Sequence, residues 1–93
     1  MTLGEMTTTA TIAVTVRYFA AARAAAGNDE ETVRLRPGTT LAELVVRLGE
    51  RDENQAKVLK RCSFLCDGIA VRDDSAALSD AQTVDVLPPF AGG

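Results

Sequence analysis

Histidine and tryptophan are both absent from this 93-residue chain, and the aromatic side chains are only four: Tyr18, Phe19, Phe64 and Phe90. Without histidine the chain lacks the usual general base near neutral pH and the commonest metal ligand, which removes most hydrolase and metalloenzyme readings. Serine or threonine as a nucleophile would need a base of another kind beside it, and no spacing supplies one. Cysteine is scarce as well: Cys62 and Cys66 alone make neither a disulfide scaffold nor the four ligands of a zinc site. Concentrated positive charge is missing, since 10 Lys plus Arg are scattered against 13 Asp plus Glu for a formal charge of −3. With so few aromatics to stack bases, nucleic acid is an unsuitable partner. No apolar run approaches the roughly 20 residues of a membrane span, and no basic start leads into an apolar stretch, so a cytoplasmic, membrane-free protein is expected.

What is present fits one small domain. Residues Met1 to Thr11 are rich in Thr with little apolar periodicity, which predicts a disordered leader over 1–11. From Ile12 the pattern alternates, with Ile12, Val14, Val16 and Tyr18 on one face of a first strand. Ala20 to Ala26 is alanine-dense and followed by Gly27, as for a short helix with a glycine cap. Glu31 to Arg36 alternates again with Val33 and Leu35 inward, stops at Pro37-Gly38, and is expected to hairpin with the first strand. Leu41, Leu44, Val45 and Leu48 form the i, i+3, i+4, i+7 stripe of the main helix. Thr40 and Glu43 stand at capping-box spacing, and Gly49 is placed to end the helix. The expected topology is a right-handed crossover that makes the first strand and the strand after the helix parallel neighbours.

Asp52-Glu53-Asn54 interrupts the pattern, and Gln55 to Lys60 suits one helical turn with Val58 and Leu59 inward. Cys62 to Cys66 reads as a strand with both thiols and Phe64 on one face, the cysteines serving as small buried hydrophobes. Asp67-Gly68 then makes a two-residue hairpin turn into Ile69-Ala70-Val71. Asp73, Asp74 and Asp80 read as solvated loop carboxylates, and Thr83 to Leu87 forms the last strand. The sum is an α+β, ubiquitin-like β-grasp roll over 12–87: a mixed sheet of four to five strands packed on one main helix, followed by a flexible Gly-Gly tail over 88–93.

That tail is the most unusual feature. After Leu87 come only Pro88, Pro89, Phe90, Ala91, Gly92 and Gly93. The prolines fix φ near −65° and disfavour helix before them, so the chain should leave the domain extended. Gly92 and Gly93 carry no side chains and suit a narrow channel in a partner. A terminal carboxylate with a pKa near 3.5 is fully ionised and a poor acyl electrophile, so it must be activated. ATP does this by forming an acyl-adenylate. The chain has no phosphate-cradling loop, so the ATP site is assigned to another protein.

Three stretches carry a resemblance: Val14 to Arg23 with Gly27, Thr40 to Leu44, and Val84-Asp85-Val86-Leu87-Pro88-Pro89-Phe90-Ala91-Gly92-Gly93. In these the chain resembles the MoaD family, the small subunit of molybdopterin synthase, within the wider group of ubiquitin-like sulfur carriers. The resemblance implies a non-catalytic carrier subunit of an enzyme complex. An adenylyltransferase resembling the ubiquitin-activating class would adenylate Gly93, and a sulfur donor would convert it to a thiocarboxylate. The tail would then enter the large subunit of molybdopterin synthase and pass sulfur to cyclic pyranopterin monophosphate. Gly93 is the implied covalent carrier, Gly92 its slim neighbour, and Pro88, Pro89, Phe90 and Ala91 the docking segment. Stable association with the large subunit is expected. No metal and no cofactor are expected on this chain; ATP and the sulfur donor are used by the activating partner.

Family members often carry a glycine-containing acidic turn before the last strand, where this chain has Ser79-Asp80-Ala81-Gln82. The rival readings are a sulfur carrier for thiamin or amino-acid synthesis, a ubiquitin-like modifier of lysines, and a passive interaction domain.

Overall fold

The structure is a computed structural model that describes residues 10–89. The leader expected over 1–11 falls outside it except for Ala10 and Thr11. The elements run β1 (Ile12–Tyr18), α1 (Ala20–Ala26), β2 (Glu30–Leu35), α2 (Leu41–Gly49), α3 (Glu53–Leu59), β3 (Ser63–Cys66), β4 (Ile69–Ala70) and β5 (Thr83–Leu87). The five strands form one mixed sheet in the order β2-β1-β5-β3-β4. β1 pairs antiparallel with β2, as Val14 opposite Val33, and parallel with β5, as Val16 opposite Val84. β3 pairs antiparallel with both β4 and β5. This is the ubiquitin-like β-grasp.

The period-two alternation of the strands sends Val14, Val16, Tyr18, Val33, Leu35, Val84 and Val86 to one face. There they bury against Leu41, Leu44 and Leu48 of α2, Leu59 of α3 and Ala22 of α1. Burying each Leu of α2 contributes about 1.5–3 kcal/mol, which makes this seam the main stabilising contact of the fold. Thr40 caps α2 as its spacing predicts: the Glu43 amide donates to Thr40 Oγ1 at 3.1 Å and the Thr40 amide donates to Glu43 Oε1 at 2.8 Å. Gly27 caps α1 in the left-handed region at φ 77°, its amide donating to the Arg23 carbonyl.

Two expectations are corrected. The parallel neighbour of β1 is β5, whereas β3, the strand after the helices, lies one place further out. Gly49 ends α2 where the sequence places the end: it is the last helical residue, and a Cβ there would stand 3.1 Å from the Cβ of Ala56. Its role is to let α2 and α3 approach. The helix after the break is longer than one turn and buries Gln55 together with Leu59, leaving Val58 half-buried. The Asp67-Gly68 hairpin forms as the sequence predicts, with both residues at positive φ, 50° and 83°, as a type I′ turn requires. Cys62 and Cys66 are free and only half-buried; burial pushes both thiols up.

Candidate functional site

The base of the predicted tail is fixed by β5. That strand lies between β1 and β3 and ends at Leu87, so its terminal direction is set by hydrogen bonds on both sides. Pro88 comes next, half-buried, and Pro89 is exposed. Phe90, Ala91, Gly92 and Gly93 lie outside the described residues, so the structure places two of the six tail residues that the sequence singles out.

Where β5 ends, the β1–α1 junction arrives beside it. The Phe19 amide donates to the Val86 carbonyl at 3.2 Å, and the Phe19 ring stands 38% exposed. Phe19, Ala20, Ala21, Ser63, Leu87, Pro88 and Pro89 line an apolar recess of about 580 Å³. An exposed aromatic over such a recess, where β5 ends, has the character of a contact surface.

On the sheet face away from the helices, Arg17 of β1 and Asp85 of β5 are direct neighbours in the parallel ladder. The guanidinium grips the carboxylate with two bonds, Nε to Oδ1 at 2.7 Å and Nη2 to Oδ2 at 3.0 Å. The Asp85 side chain is 10% exposed and that of Arg17 47%. The Arg17 guanidinium also lies 5.5 Å from the centre of the Phe19 ring, within cation–π range. The pair ties the two central strands together beneath the tail root and braces the exposed ring. Hydrogen bonding to Asp85 and its charge hold the Arg17 guanidinium above its usual value. The alternation in the sequence already turns Arg17 and Asp85 away from the core; their contact is hidden there because it depends on which strands are neighbours.

A second polar cluster anchors the other face at the end of β1. Tyr18 donates its hydroxyl to Glu31 Oε2 at 2.6 Å, and Arg51 Nη1 donates to both Glu31 oxygens at 2.8 and 2.7 Å. Burial, then the bond to Glu31, pushes the Tyr18 hydroxyl well above its ordinary value. For Glu31 burial acts upward, but the bonds from Tyr18 and Arg51 outweigh it and hold the carboxyl below its usual range. No arrangement of these groups makes a nucleophile with a base. The described residues form a rigid support for a tail, with no built acid–base centre.

Residues 16–93 match the ThiS family. A molybdopterin synthase sulfur carrier subunit of Chlamydomonas reinhardtii is 33% identical over 81 residues, which span 86% of this chain and 98% of that protein. Among solved structures, a putative molybdopterin converting factor subunit 1 from Pyrococcus furiosus is 28% identical with a TM-score of 0.76, over 85% of this chain and 99% of that one. The Haloferax volcanii HVO 2177 protein is likewise 28% identical, with a TM-score of 0.78 over 89% of this chain and 88% of that one. The chain therefore belongs to the ThiS family, as a homologue of the MoaD-type sulfur carriers.

Proposed function

We propose that this protein is the sulfur carrier subunit of a molybdopterin synthase. The observation that carries the reading is the relative named for that role, matched at 33% identity over 98% of its length. The braced root of the tail supports it: a strand held on both sides can present the segment beyond it to a partner without unfolding.

In the proposed cycle the Gly93 carboxylate attacks the α-phosphorus of ATP in a partner adenylyltransferase, releasing pyrophosphate and leaving an acyl-adenylate. A sulfur donor delivers sulfide equivalents to the carbonyl carbon, AMP departs, and a thiocarboxylate remains. In the large subunit that sulfur passes to cyclic pyranopterin monophosphate, and water returns the tail to carboxylate. Pro88, Pro89, Phe90 and Ala91 dock the tail, and Gly92 lets it pass a narrow entrance.

The test is the intact mass of the protein after incubation with the adenylyltransferase of its host, ATP and a sulfide source. The expected result is an ATP-dependent gain equal to replacing one oxygen by sulfur, absent when Gly93 is deleted. Conjugates to lysines of other proteins in place of that gain would refute the reading in favour of a modifier.

A further inference from the structure

A second recess, of about 800 Å³, opens on the helix side of the sheet between α2, the end of α3 and the β3–β4 hairpin. Its walls are apolar for the larger part, through Leu41, Val45, Leu59, Cys62, Phe64 and Val71. Val46 stands on the α2 rim 62% exposed, although the same helix buries Leu44 and Leu48 completely or nearly so. A concave apolar surface of that size is in the range of sites that bury a bound group.

The charge around it is one-sided. Lys60 and Arg72 line the recess, and Lys57 and Arg61 flank Lys60 on a smaller adjoining hollow. None of the four takes part in an ion pair among the described residues; the pairs there use Arg17, Arg23 and Arg51. Between positions 57 and 72 the only acidic residue is Asp67, and the one carboxylate lining the recess is Asp74, beside the start of α2. In a chain of net charge −3, this corner is a local reversal of sign. Ser63 lines both this recess and the one at the tail root, so the two adjoin at that residue.

From this geometry we infer that the helix-side recess docks an acidic segment with apolar side chains, supplied by the large subunit that receives the tail. Its apolar side chains enter between α2 and β3, and its carboxylates meet Lys60 and Arg72. The occupant is assigned to the large subunit because the recess adjoins the tail root at Ser63, so a partner that takes the tail reaches both. The inference rests on the proposed function.

The experiment measures the affinity of the full chain for its purified large subunit by calorimetry at low and high salt. Two variants are compared with the parent, Lys60→Glu/Arg72→Glu and Val46→Asp, all at exposed positions, with thermal melting to verify the fold. The expected result is at least about a tenfold loss of affinity for each at low salt, and a flatter salt dependence for the charge reversal. The ATP-dependent mass gain at Gly93 should remain intact. Affinities within twofold of the parent for both variants overturn the inference. Failure of the parent's mass gain instead sinks the functional reading, so the two failures are distinguishable.

Discussion

Replacing Ala81 by glycine is expected to stabilise the protein, against the usual effect of that substitution. Ala81 sits in the turn before β5 at φ 66°, in the left-handed region. An L-residue there costs about 1–2 kcal/mol because Cβ crowds the following carbonyl oxygen. The turn cannot relax, since four bonds hold it. The Ala81 amide donates to the Ala13 carbonyl at 2.8 Å, the Ala13 amide to Asp80 Oδ1 at 2.8 Å, the Ser79 amide to Gln82 Oε1 at 2.9 Å and the Gln82 amide to the Ser79 carbonyl at 3.3 Å. The Ala81 methyl is exposed, so losing it forfeits little burial. Glycine gives back about 0.4–1 kcal/mol through the larger freedom of the unfolded chain. The net gain is about 0.5–1 kcal/mol, a rise in Tm of about 3–6 °C for a domain of this size. Calorimetry on Ala81→Gly beside Ala24→Gly gives the check. Ala24 is exposed in α1, where glycine should cost about 1 kcal/mol and lower Tm. A Tm for Ala81→Gly at or below the parent value would refute the reasoning.

Three further predictions concern the polar pairs of the sheet and the packing of α2 on α3. Arg17→Leu should cost about 1–3 kcal/mol in chemical denaturation, because it strands the nearly buried Asp85 carboxylate; the double variant Arg17→Leu/Asp85→Ala should recover part of that loss. Since the Glu31 carboxyl is held low in the folded state, its contribution is present above the ordinary value of 4.5 and lost as pH falls through the lower folded value. Acid-unfolding curves of Glu31→Gln should therefore depend less on pH than those of the parent as it falls from about 4.5 toward that lower value. Gly49→Leu should destabilise by about 1–3 kcal/mol, as overpacking against Ala56 pushes α3 away from α2, with CD melting as the measure.

The local features of the fold are legible in the sequence because their causes are local. The capping box needs only Thr40 and Glu43 three residues apart, and the Asp67-Gly68 turn only two residues that accept positive φ. Alternation likewise tells which side chains of each strand face the helices. It cannot tell which strands are neighbours, since periodicity carries no information about partners. Hence element order alone points to β3 beside β1, and the Arg17–Asp85 pair, formed across 68 residues of chain, is invisible in it. Gly49 ends α2 as expected, but its packing role is hidden for a related reason. Whether a glycine ends a helix or admits another backbone depends on where Ala56 comes to lie. Of the site, Pro88 and Pro89 are legible from chemistry alone, while Phe19 becomes a site residue only when the sheet places its backbone against Val86.

The placement of β5 between β1 and β3 also decides how the domain bears load. A partner that draws on the tail pulls β5 along its own axis, and the ladders on both sides resist together in shear. A strand at the sheet edge, peeled sideways, would give up its bonds one after another. Here the point of traction is a strand held along both of its edges. A pull on the chain beyond Leu87 would thus be shared by two ladders, and the rest of the sheet could keep its register under it.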